Sequence, residues 1–179
     1  MILRDTGSLN NVIQSIKWRG QDVEASSVEE DTINETVYLY YSEDIKEVDS
    51  RFKENTTIYA AEEDELYWAA IHTWASDPDH GVGDILVSLG VEVEYVQEND
   101  DGVAVVSFSE ELYDIDYHLP FNDAFQEQVG LIMMEFGYES TQILVNGEEI
   151  DAPLFVGDKI TDRPFKLHED RKEEYEERN

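Results

Sequence analysis

Asp77, Asp79, His80 and Asp84 fall within the eight-residue stretch DPDHGVGD. Carboxylate oxygens crowded in a loop suit a hard cation such as calcium. The spacing is not that of the helix–loop–helix calcium loop, which alternates oxygen ligands, turns on a central glycine and closes on a distal glutamate. His72 and His80, with Glu65 and Asp79 near them in sequence, supply the ligand types of a zinc site that could activate water for hydrolysis. The HExxH arrangement that fixes such ligands on one helix face is absent. Asn99-Asp100-Asp101-Gly102 is a second acidic cluster, and a hairpin turn accounts for it. With 43 Asp and Glu in the chain, pairs of carboxylates occur by chance and do not indicate glycoside hydrolysis. There is no cysteine, which excludes thiol catalysis, disulfides and thiolate metal sites. No nucleophile elbow, phosphate-binding loop or dinucleotide fingerprint occurs. The residues predict no catalytic site and no cofactor, calcium on the Asp77–Asp84 loop being the exception that the composition permits.

The charge bounds the partners. The net charge is −31, and no Lys or Arg lies between Glu54 and Asp158. Such a surface repels nucleic-acid phosphates and anionic membranes. Adaptation to high salt or an alkaline exterior explains it, since counter-ions screen the self-repulsion. A basic partner, or mimicry of DNA toward basic proteins, are the alternatives. No apolar run approaches the length of a membrane span, and MILRDTGSLNNV lacks the basic-then-apolar layout of an export signal.

The elements that must position these residues can be read from periodicity. An apolar content of 41% with 10 Tyr, 7 Phe and 3 Trp is enough to build a core. Leu9, Val12, Ile13 and Ile16 suggest one short helix in an N-terminal extension over 1–35. TVYLYY, residues 36–41, is a strand, and TTIYA, residues 56–60, a shorter one, with a charged surface loop over 42–54. Residues 62–76 form an amphipathic helix whose face holds Leu66, Ala69, Ala70, Thr73 and Trp74. DPDHGVGD breaks it, and Ile85, Leu86 and Leu89 add at most a turn. Residues 91–96 and 103–108 make a hairpin around NDDG, the second strand continuously apolar and therefore central. Residues 122–136, capped by Asn122 and stopped by Gly137, form the second main helix. Gln142–Val145 is a strand leading into the Asn146-Gly147 turn. Residues 152–165 add an edge strand or wrap back, and the charged tail 166–179 has little to bury and frays.

The run Asp101–Leu112 resembles the "dG-x-a-x-V-d-f-s-x-e" strand of the sporulation and spore-germination (GerMN) domain family. Ile143-Leu144-Val145-Asn146-Gly147-Glu148 is similar to that family's terminal strand and turn, and Gln128–Phe136 to its second helix. Val37–Tyr41 and Leu66–Trp74 resemble its opening strand and first helix. The likeness spans about residues 36–152. It implies a compact exported or lipid-anchored module of the bacterial envelope, without catalytic residues.

The expectations are therefore an α/β (α+β) domain over 36–165. Two helices pack on one face of a small mixed sheet, in strand-helix-strand-strand-helix-strand order. The expected function is a non-catalytic extracytoplasmic binding or scaffold module. Its partners are other envelope proteins or further copies of itself, with no nucleic acid and no insertion in membrane. A metal-assisted hydrolase using His72, His80 and loop carboxylates, or an acidic decoy of DNA-binding proteins, are the rivals.

Overall fold

The computed structural model describes residues 31–115, 119–150 and 163–179. The short N-terminal helix and most of the 152–165 segment lie outside the described residues. The β-branched and aromatic run ending in YLYYS forms β1 (Ile33–Ser42), and β2 (Arg51–Ala60) returns antiparallel to it in register from Ile33↔Ala60 to Ser42↔Arg51. The connecting turn is held by Ser50 Oγ, which donates to the carbonyls of Asp44 and Glu47 at 2.7 Å each.

Helix α1 (Glu63–Ala75) starts where the Glu62 backbone N–H donates to Glu65 Oε2 at 3.1 Å, and acids in its first turn suit the positive end of the helix dipole. Its buried side is Leu66, Ala70, Ile71, Trp74 and Ala75. Thr73, expected on that face, is exposed and turns its hydroxyl back to the Ala69 carbonyl at 2.7 Å. Helix α2 (Gly81–Leu89) follows, ending on Gly90 at φ 76°. A Cβ on Gly83 would stand 1.9 Å from the Asp77 carbonyl oxygen, so only glycine lets α2 seat against the end of α1.

Strands β3 (Val93–Glu98) and β4 (Ala104–Phe108) are the expected hairpin, and β4 is buried along its length. Asn99 Oδ1 organises the turn by accepting from the Asp101 and Val103 N–H groups at 2.9 and 3.0 Å. Helix α3 (Leu119–Glu135) stops at Gly137, φ 92°, with the Tyr138 N–H reaching the Met133 carbonyl. It begins before Asn122, which lies inside the helix instead of capping it. Strand β5 (Thr141–Val145) lies parallel to β4 and turns through Asn146 and Gly147, both left-handed. The tail adds β6 (Glu176–Arg178), parallel to β2.

The α+β class holds, but the strands divide into two three-stranded sheets, β1-β2-β6 and β3-β4-β5, where one was expected. The described residues also begin with two strands and include an additional helix, α2. The two main helices pack on strands of both sheets: α1 on β1, β2 and β3, and α3 on β1 and β5. Leu39, Phe52, Trp74, Phe108, Phe125 and Ile132 are among the side chains buried between these layers. The tail does not fray. Tyr175 is buried, and residues 169–174 form a 3-10 turn against the body.

Candidate functional site

The acidic loop brings together two of its four predicted ligands. His80 Nε2 lies 3.1 Å from Asp77 Oδ2, while Asp77 Oδ1 accepts the Asp79 N–H at 3.0 Å in a local turn. The His80 ring packs on Tyr41 and Phe52, with centroids 4.1 and 5.0 Å away. Asp84 sits exposed in the first turn of α2. His72 stacks on Trp68 at 4.5 Å, on the exposed side of α1. Among the described residues, no three His, Cys, Asp or Glu groups are placed to share a metal ion.

The concentrated polar chemistry lies elsewhere, on α3. Glu127 and Glu135 are two turns apart on one helix side, and their side chains are 7% and 13% exposed. Charges so enclosed need partners. Glu127 Oε1 accepts the Tyr175 hydroxyl at 2.8 Å and lies 3.3 Å from Arg51 Nη1. Its Oε2 accepts Arg171 Nε at 2.8 Å and also pairs with Arg171 Nη2. Glu135 accepts the Tyr38 backbone N–H at 3.0 Å and the Tyr40 hydroxyl at 2.9 Å, and Lys172 Nζ sits 2.9 Å from Oε2. Adjacent Gln128, fully buried, accepts from Trp74 Nε1 at 3.1 Å and donates to Ser42 Oγ at 3.2 Å. Glutamates, glutamine, tyrosines and cations thus form one continuous arrangement joining α3, β1, β2 and the tail.

Aromatic rings wall this arrangement. Tyr40 meets Tyr175 edge-on at 5.2 Å, and the Arg178 guanidinium covers Phe52 at 4.1 Å. Lys53 lies 4.9 Å over Tyr38 and donates to the Lys172 carbonyl at 3.2 Å. Burial, followed by the Glu127 charge, holds the Tyr175 phenol well above its ordinary value, and burial followed by Glu135 does the same to Tyr40. The hydrogen bond to Glu127 keeps the Arg171 guanidinium charged.

Sequence reading missed this site because its two halves are far apart in the chain. One signal was available: Glu127, Gln128 and Glu135 interrupt the apolar side of a helix otherwise built from Phe125, Val129, Leu131 and Ile132. A buried acid there implies a cation from another segment, and Arg171-Lys172 is a rare basic pair in this chain. Among the described residues no helix is long and apolar enough to cross a membrane.

These features describe an acidic α+β module whose enclosed carboxylates hold a segment of its own chain. No family sequence profile matches the chain, and no curated protein sequence does. Among solved structures it is similar to the first GerMN domain of the sporulation protein GerM from Bacillus subtilis, at 16% identity and TM-score 0.47, over 75% of this chain and 97% of that one. The tandem GerMN domains of the same protein align at 14% identity and TM-score 0.46, over 74% of this chain and 45% of that one. A chain named as a candidate lipoprotein from Clostridium perfringens aligns at 14% identity and TM-score 0.43, over 75% and 87%. No residue role is carried across from these neighbours.

Proposed function

We propose that this chain is a non-catalytic binding or scaffold module of an extracytoplasmic, envelope-associated assembly of the sporulation kind. What supports the reading is the placement of the two stretches that carry the family resemblance. Gly102–Phe108 and Ile143–Gly147 fold as neighbouring parallel strands, each bounded by a turn containing a left-handed glycine. Exposed apolar side chains at Ile33, Val48 and Tyr59 on the β1–β2 hairpin and its turn offer contact surface, while the acidic coat disfavours nucleic acid. The partners in this reading are other envelope proteins or further copies of the chain, with no cofactor. The same acidic coat is read as adaptation to salt.

The test is topological. An epitope-tagged chain expressed in its native host should be digested by protease added to wall-stripped intact cells, and should cross-link to other envelope proteins. A chain that stays intact until lysis and fractionates with the cytosol overturns the reading.

A further inference from the structure

The groove between α3 and β2 holds residues 171–178 by chemistry that belongs to a recognition site. Two enclosed carboxylates, Glu127 and Glu135, take Arg171 and Lys172. Tyr175 fills the apolar wall beside Tyr40, and Glu176–Arg178 extends the sheet as a parallel strand on Phe52, Lys53 and Glu54. This is strand addition reading the segment RKEEYEER through its Arg171-Lys172 pair and Tyr175. We infer that the α3–β2 groove is a receptor for that segment, filled here by the chain's own residues 171–178 and filled in assemblies by residues 171–178 of a second copy.

Three observations favour exchange with a second copy. The ladder that holds the segment is three residues long and parallel. Simple release would leave Glu127 facing Arg51 without Arg171 and Tyr175, and Glu135 held by the Tyr38 N–H and the Tyr40 hydroxyl without a cation, which makes an empty groove costly, whereas the same segment from another copy restores every contact. The cations of 171–178 also match what lines the groove, Arg171 and Lys172 meeting Glu127 and Glu135 while Arg178 covers Phe52. Repulsion between two acidic bodies opposes pairing, so exchange should grow with ionic strength, since the enclosed pairs are screened less than the surface. The inference names a partner for the binding role proposed above, and it is tested without reference to cellular location.

The test uses the unmodified full chain. Isotopically heavy and light chains are mixed, incubated in moderate salt and treated with a zero-length carbodiimide, which joins Lys172 to Glu135 across their 2.9 Å contact. Cross-linked peptides pairing a heavy and a light copy are expected, in a proportion rising with protein concentration. Isotopically pure cross-links at every concentration and salt overturn the inference. A second measurement uses full-length R171E/K172E, whose own segment is weakened, with a labelled peptide of residues 166–179. The variant should bind the peptide at least about tenfold more tightly than the unmodified chain, whose groove is occupied, and lose that binding when E127Q is added. Equal binding of a scrambled peptide, or binding indifferent to E127Q in a chain that remains folded, also overturns it. Failure here leaves the envelope reading to stand or fall on its own topology test.

Discussion

Arg171 reaches back 44 residues to close on Glu127, placing both Nε and Nη2 on one carboxylate oxygen while Arg51 and Tyr175 occupy the other. Replacing Glu127 by Gln removes the charge that Arg51 faces in a largely enclosed position. The expected loss of stability is about 3 kcal/mol, the range seen when one partner of a buried pair is deleted. Glu139, 86% exposed and 3.7 Å from Lys166, is the contrast: Glu139→Gln should change stability by less than about 0.5 kcal/mol. Urea denaturation of both variants checks the difference, and similar values would mean that Glu127 is not held as described.

Gly83→Ala places a methyl group against the Asp77 carbonyl, which the backbone of α1's end cannot yield cheaply. A loss of about 2 kcal/mol or more is expected, with α2 displaced. Gly90→Ala meets open space and carries only the left-handed penalty, roughly 1 kcal/mol. Melting curves of the two variants should rank in that order.

The buried phenols of Tyr40, Tyr41 and Tyr175 all have raised pKa values, burial being the first cause in each. The folded state therefore keeps protons that the unfolded chain gives up above the ordinary phenol value of about 10. Their contribution is whole below that pH and is lost as pH climbs beyond it, by up to about 1.4 kcal/mol per pH unit for each tyrosine. Phenolate absorbance of this group should appear together with unfolding. Smooth ionisation in a protein that stays folded would contradict the burial assigned to them.

Salt should stabilise the chain. Raising sodium chloride from about 10 mM to about 150 mM shortens the screening length from roughly 30 Å to roughly 8 Å, relieving repulsion among the carboxylates. The melting temperature is expected to rise steeply over that range and slowly above it. Calcium at equal ionic strength should add no saturating step, because Asp77 is engaged with His80 and with its own turn. A sharp, stoichiometric calcium response would restore the Asp77–Asp84 loop as a metal site.

Segments with one strong local period were legible. The helix predicted at 62–76 is found at Glu63–Ala75, and the apolar VAVVSF run is the central strand between β3 and β5. Strand β2 was half seen, because Arg51, Lys53 and Glu54 read as loop. Arg51 pairs with Glu174, Lys53 donates to the Lys172 carbonyl and Glu54 lies opposite Arg178 of β6, none of which is local. Helix α2 was reduced to one turn by its glycines, which lower helix propensity but are required by close approach to Asp77 and Ile45. The polar site was invisible for a related reason: acids on α3 and cations in the tail carry no common sequence period. Division into two sheets also depends on partners far apart in the chain, β6 with β2 above all.

Tyr38 and Glu177 meet through a hydrogen bond of 2.7 Å although 139 residues separate them. A chain emerging from the ribosome at 5–20 residues per second makes the first partner about 7 to 28 seconds before the second. Throughout that interval β2 has an open edge, and Glu127, once made, waits for Arg171. The nascent protein thus passes through a stage in which its hairpin is complete but unsealed, when a strand-binding chaperone or a neighbouring nascent chain has access that the mature protein denies.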